Sequence, residues 1–184
     1  HAECIAKYGT DKPDLRFGME FADLGEIVKD SEFKVFTSTL NKGGQVKGIC
    51  VKGCGEYPRA QLDRLTDFAK EHKAQGLAWM RVTEGGVDSP IAKFFSAEQL
   101  SAILEAFGAE AGDLLLMVAD TPAIVAESLD WIRREMARRE GLIQPDTFAL
   151  AWVCPLYTSD AADEPPRVDL GGCSIIKKKK HTTL

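Results

Sequence analysis

The sequence predicts a two-layer α+β sandwich, and three observations carry that reading. Leu114 to Ala119 is an unbroken apolar run of strand length. Leu62 to His72 and Val125 to Met136 place apolar residues three and four apart, the spacing of one helical face. Ser96 followed three residues later by Gln99 is the signature of a helix start. Strand-length segments alternating with helices in this way are what a sheet covered by helices requires.

Taken in order, His1 to Lys7 reads as the last turns of a helix, and a first residue other than methionine marks the chain as a piece of a longer frame. Thr10 to Asp14 must be a turn, because Pro13 lacks an amide hydrogen and pushes Lys12 out of the helical region. Secondary structure is expected to restart near Arg16. Phe33, Val35 and Phe36 are expected in one strand and Val46, Ile49 and Val51 in a second, joined as a hairpin through Asn41-Lys42-Gly43-Gly44. From Pro58, placed at the first helical position, Leu62, Leu65, Phe68, Ala69 and His72 form a helical stripe.

Leu77 to Val82 then reads as a strand, ended by Glu84-Gly85-Gly86, with a loop through Pro90. Ser96 and Gln99 open a helix that Leu100, Ile103, Leu104 and Phe107 continue and Gly108 stops. Leu114 to Ala119 is a central strand, covered on one or both sides. Asp120-Thr121-Pro122 starts the last helix, with Val125, Leu129, Ile132 and Met136 facing the core. Arg133, Arg134, Arg138 and Arg139 suit its negative end, and Gly141 stops it. Phe148 to Val153 completes the set as one more strand, with the helices packed against one face of the sheet.

Bulk properties narrow the function. A chain of 184 residues, 45% hydrophobic and 28% charged, has the balance of one soluble domain with ragged ends. A net charge of -5 argues against a protein that grips nucleic acid over its whole surface, so any such contact is local. No apolar run approaches the roughly 18 residues of a membrane span, and a cytoplasmic protein is expected. Cys4, Cys50, Cys54, Cys154 and Cys173 are an odd set at irregular spacing, read as reduced thiols. Zinc wants four ligands, and His1, His72 and His181 offer no paired spacing to complete a set with Cys50 and Cys54. From Cys154 the periodicity stops, and the end, Lys177 to Lys180, reads as a tail foreign to the domain.

Catalytic patterns are missing. No phosphate-binding glycine loop is present, and the glycines at 43, 44, 53 and 55 do not fit a dinucleotide fingerprint. His72 lies on the core stripe of a helix, which suits packing better than a nucleophile's base. Glu56, Asp63, Asp67, Glu98, Glu105, Glu127 and Asp130 fall on helix exteriors or first turns, and Trp79, Trp131 and Trp152 do not line one base-stacking face.

Longer strings carry more. Tyr8-Gly9-Thr10-Asp11-Lys12-Pro13-Asp14-Leu15-Arg16-Phe17, Ser31 to Phe36, Gly76-Leu77-Ala78-Trp79, Ser89 to Phe94, and Gly112-Asp113-Leu114 occur in this order, with Gly141-Leu142-Ile143 and Ala151-Trp152-Val153 behind them. From about residue 5 to Val153 the chain resembles bacterial aspartyl-tRNA synthetases, class II enzymes whose catalytic domain is interrupted by an insertion. That insertion, the GAD domain shared with an archaeal tRNA amidotransferase subunit, is a two-layer fold ordered strand-strand-helix-strand-strand-helix, here with one extra helix.

The resemblance implies a division into residues 1–22, the end of a catalytic-domain segment and its junction; 23–141, the insertion domain; 142–153, the return; and 154–184, outside the family pattern. It implies a homodimeric parent enzyme acting on aspartate, ATP and tRNA(Asp) with Mg2+, while no catalytic, cofactor or metal residue carries over to this chain. Lys12 and Arg16 at the junction and Lys93 in a loop are the candidates for tRNA contact, weighed against plain hinge or packing roles. The alternative is an autonomous GAD-type tRNA-binding module, as in the amidotransferase.

Overall fold

The computed structural model describes residues 1–144 and 146–149. Five strands form one antiparallel sheet: β1 (Ala22–Asp23), β2 (Gln45–Val51), β3 (Ala78–Thr83), β4 (Gly86–Asp88) and β5 (Leu114–Asp120), in the spatial order β1-β2-β5-β3-β4. Around them lie helices α1 (Ala2–Tyr8), α2 (Gly25–Val28), α3 (Lys34–Asn41), α4 (Arg59–Glu71), α5 (Ala97–Phe107) and α6 (Pro122–Arg139). The α+β class read from the sequence is the observed one. No described helix is long and apolar enough to cross a membrane.

β5 explains the architecture. Leu114, Leu115, Leu116, Met117 and Val118 are all fully buried, which needs cover on both faces of the sheet. Successive side chains point to opposite faces. Leu114, Leu116 and Val118 meet Ile49, Val51, Leu62, Leu65, Leu129 and Ile132, the layer of α4 and α6. Leu115 and Met117 meet Val46, Met80, Phe36 and Ile103, the layer of α2, α3 and α5. The expectation of helices on one face is therefore corrected: both faces carry a helical layer.

The missed layer comes from residues 25–41. Phe33 to Phe36 is no strand; Phe33 caps α3 in extended conformation and Phe36 is buried inside it. The aromatic rings find each other at helical spacing, with Phe33 and Phe36 centroids 4.8 Å apart and Phe95 6.1 Å from both. The Thr39 hydroxyl donates to the Val35 carbonyl at 2.9 Å, a local bond that helix geometry supplies. Tertiary packing has overridden β propensity. β2 instead pairs with β5, Gln45 opposite Asp120 through Val51 opposite Leu114.

The hairpin lies elsewhere, where β3 and β4 pair from Arg81–Asp88 to Thr83–Gly86 around the glycines that the sequence marked only as a strand end. Structure restarts not near Arg16 but at Ala22, and Pro58 is the N-cap of α4 rather than its first residue. Phe148 and Ala149 carry no regular structure, and the rest of the strand expected to Val153 lies outside the described residues, as does the tail 154–184.

The strongest local signals hold. Gln99 N–H donates to Ser96 Oγ at 3.2 Å and Ser96 N–H to Gln99 Oε1 at 3.0 Å, the reciprocal capping box. Gly108 ends α5 at φ 53°, a left-handed conformation that glycine adopts without steric cost. Pro122 opens α6.

Candidate functional site

Of the expected contacts, Arg16 is engaged inside the protein. Asp14 precedes it by two residues in a loop, so one carboxylate accepts from Arg16 Nε at 2.9 Å and Nη2 at 2.6 Å, while also capping the Arg16 backbone N–H. The Arg16 guanidinium holds the Asp14 carboxyl below its usual range. Arg16 Nη1 reaches the Gln144 carbonyl at 3.3 Å.

The loop from Gly9 to Glu20 is held against α6 by a residue that the sequence singled out only for its charge at the helix end. Arg133 is fully buried. Its Nε and Nη2 donate to the Gly18 carbonyl at 2.8 and 2.7 Å, and Nη2 also donates to the Asp14 carbonyl. Its guanidinium plane lies 4.8 Å from the Tyr8 ring centre and 4.3 Å from that of Phe17. Burial lowers its pKa, opposed chiefly by Asp130. Arginine suits the place because a planar cation with five donors can hydrogen-bond carbonyls at its edge and stack aromatics on its faces. The sequence did carry the signal: Arg133 is four residues from both Leu129 and Ala137, on the buried stripe.

α1 meets the same helix. Gly9, its left-handed cap at φ 76°, sits so close to α6 that a Cβ there would lie 2.2 Å from the Ala126 carbonyl oxygen. Only glycine fits such an approach.

Lys12 and Lys93 are exposed and form no ion pair among the described residues. They do not converge. Lys12 belongs to the loop on α6, whereas Lys93 sits in a short 3-10 turn, Ala92–Phe94, beside the opposite helical layer, with its ammonium 5.1 Å from the Phe94 ring centre.

The remaining reactive groups are structural. Asp113, nearly buried, accepts from Lys52 Nζ at 2.8 Å, Gly53 N–H at 3.0 Å and Glu110 N–H at 2.8 Å. Burial alone would raise this carboxyl, but Lys52 and the two backbone donors outweigh it and hold it below its usual range. Cys50 donates to Asp113 at 3.6 Å, and burial, reinforced by that carboxylate, pushes its thiol up to about 12. Burial and Glu140 push Cys54 to about 12 as well. Thiols so raised are poor nucleophiles and poor metal ligands at neutral pH. His72 is packed between Phe68 and Trp131, 4.6 and 4.5 Å between ring centres.

Comparison with known proteins places this geometry. Residues 36–129 match the GAD domain. The chain belongs to the GAD domain family. The GAD span contains β2 to β5, α4, α5, most of α3 and the first part of α6, whereas Arg133 and the Gly9–Glu20 loop flank it. The chain is 53% identical over 166 residues to an aspartate–tRNA(Asp/Asn) ligase of Heliobacterium modesticaldum, covering 89% of this chain and 27% of that protein. It is 51% identical over 153 residues to the aspartate–tRNA(Asp/Asn) ligase of Halothermothrix orenii, covering 83% and 26%. An aspartate–tRNA ligase of Clostridium perfringens is 47% identical over 152 residues, covering 82% and 26%. The chain thus spans about a quarter of the length of the curated relatives it matches. Among solved structures, a hypothetical protein from Pyrococcus horikoshii OT3 overlaps 53% of each chain at 21% identity, with a TM-score of 0.39 too low to bear on fold or function.

Proposed function

We propose that this chain is the insertion segment of an aspartate–tRNA ligase, a part that carries no catalytic group of its own. The observation that carries the reading is the extent of the match: identity of 53% and 51% runs over 166 and 153 residues, past the GAD span of 36–129 on both sides. A GAD domain grafted elsewhere has no reason to keep both flanks, so the autonomous tRNA-binding module of an amidotransferase type stands second. On this reading residues 1–22 leave the catalytic module, 23–141 form the insertion and 142–153 return to it, while the 166-residue match, 89% of the chain, runs past Val153 into the tail that the sequence reading had set apart.

The whole ligase condenses aspartate with ATP to an aspartyl adenylate, releasing pyrophosphate, and passes the aspartyl group to the terminal ribose of tRNA(Asp), releasing AMP. It would act as a cytoplasmic homodimer with ATP and Mg2+. Among the described residues no three or more His, Cys, Asp or Glu side chains are placed to hold a cation. This segment's donor set does not fit the magnesium, and the reading assigns ATP and its metal to the rest of the ligase. Lys12 and Lys93, exposed and unpaired among the described residues, keep a tRNA-phosphate role in this reading, Arg16 less so because Asp14 already neutralises it. Replacing both lysines with alanine should lower tRNA affinity less than about tenfold and flatten its salt dependence by about two phosphate contacts.

The test is aspartate-dependent ATP–pyrophosphate exchange, run on this chain and on a bacterial aspartate–tRNA ligase whose matching segment is replaced by residues 1–153. Exchange by the spliced ligase alone supports the reading; exchange by the isolated chain, or none by a soluble splice, overturns it.

A further inference from the structure

We infer that Arg133 is a positioning residue for tRNA aspartylation, because it fastens the end of the inserted domain to the stretch of chain that leads into it, beside the Arg16–Gln144 bond that joins the inbound and outbound stretches; this rests on the ligase reading above. An inserted domain hangs on two passages, one inbound and one outbound. If they are separate strands, the domain can twist about both; if they are cross-linked, that freedom is lost.

Here they are cross-linked just outside the GAD span of 36–129. Arg133, on α6, the last helix before the chain returns, donates to the inbound carbonyls of Asp14 and Gly18, its Nε and Nη2 lying 2.8 and 2.7 Å from Gly18 O. It also lies over the inbound rings of Tyr8 and Phe17, 4.8 and 4.3 Å from their centres. Inbound Arg16 returns a bond to outbound Gln144 at 3.3 Å. Gly9 presses on Ala126 so closely that a methyl group would not fit. The inbound stretch from Gly9 to Glu20 has neither helix nor strand to stiffen it, so its shape is set by these contacts. Arg133 Nη1, buried and without a partner among the described residues, leaves a donor aimed from the same latch.

Lysine cannot replace this group. A single ammonium offers no plane for the two rings and no fork for two carbonyls. The chemical consequence divides the reaction. Adenylate formation brings together two small molecules and does not depend on where the domain points. Transfer to tRNA requires a large substrate to be held against the catalytic module, and small misplacements cost rate there.

The experiment uses the spliced ligase described above with Arg133→Lys and Arg133→Met. Both variants are expected to keep ATP–pyrophosphate exchange within about twofold while the kcat/KM of tRNA aspartylation falls by at least about tenfold, Lys failing to rescue. A parallel fall in both activities would show a folding defect alone and overturn the inference, as would unchanged aspartylation. Hydrogen exchange of the 184-residue chain separates the latch from the ligase reading. Arg133→Met should speed exchange at residues 9–18 and leave β5 protected; equal protection of both in the variant and the parent chain overturns the latch. A wild-type splice without exchange activity overturns the ligase reading and the aspartylation role with it, whatever the latch does.

Discussion

The layer of α4 and α6 and the layer of α2, α3 and α5 cover the two faces of β5 with different materials. α4 and α6 are long, 13 and 18 residues, and their contact faces are aliphatic: Leu62, Leu65, Val125, Leu129, Ile132 and Met136. α2 and α3 have 4 and 8 residues and depend on a knot of rings, Phe33, Phe36, Phe94 and Phe95, with centroids 4.8 to 6.1 Å apart. Long helices gain enough from repeated small contacts to persist as helices; short ones lie below the length at which a helix is stable alone and hold their form through tertiary packing. The aromatic layer is thus the one whose secondary structure depends on its tertiary contacts.

That contrast can be broken by truncating one side chain in each layer. Phe36→Ala should cost about 3–5 kcal/mol and reduce helical circular dichroism in the native baseline as α3 loses its anchor. Leu129→Ala, from the aliphatic layer, should cost about 2–5 kcal/mol with the helical signal retained. Because the sheet separates the two positions, the double variant should add to within about 0.5 kcal/mol in urea unfolding; a larger coupling would mean that the layers form one cooperative core.

A third change sharpens the comparison at the rim where β2 meets β5. Asp113→Ala leaves two backbone N–H groups without their acceptor and Lys52 with only the Gly108 carbonyl, and should cost about 2–3 kcal/mol. Asp113 has a folded pKa below its unfolded value, so its contribution is complete above the unfolded value of about 3.9 and is lost as pH falls below it. The thermal midpoint of the parent chain should therefore drop more steeply than that of Asp113→Asn between pH 5 and pH 2. The smallest effect is expected at the capping box of α5, where Ser96→Ala should cost about 1 kcal/mol; no loss would mean that Gln99 alone satisfies the helix start.

What was legible follows the same division. The stripes of α4 and α6, the central strand and the capping box could be read directly, since each rests on spacing within a few residues. The aromatic helix α3 could not, because Phe33, Val35 and Phe36 favour a strand in isolation and become helical through Phe94 and Phe95, some sixty residues later. At the candidate site, Lys12 and Lys93 are exposed, while Arg133 was read only by its charge, as one of the arginines suiting the helix end, although its spacing put it on the buried stripe. The carbonyls that it serves belong to a loop more than a hundred positions earlier, and no local pattern announces them.

The order of strands in the sheet has a consequence for synthesis. β5 lies between β2 and β3 yet is the last strand among the described residues, so the two halves of the sheet have nothing to pair with across the middle until residues 114–120 are made. A ribosome elongating through β4 would be trailing two open edges and an uncovered apolar face. The pairing of β2 with β5 spans more than sixty residues, a long loop to close before any reward arrives. Stalled or truncated chains ending before Leu114 should therefore be the aggregation-prone species, and arrival of that one strand closes both edges at once.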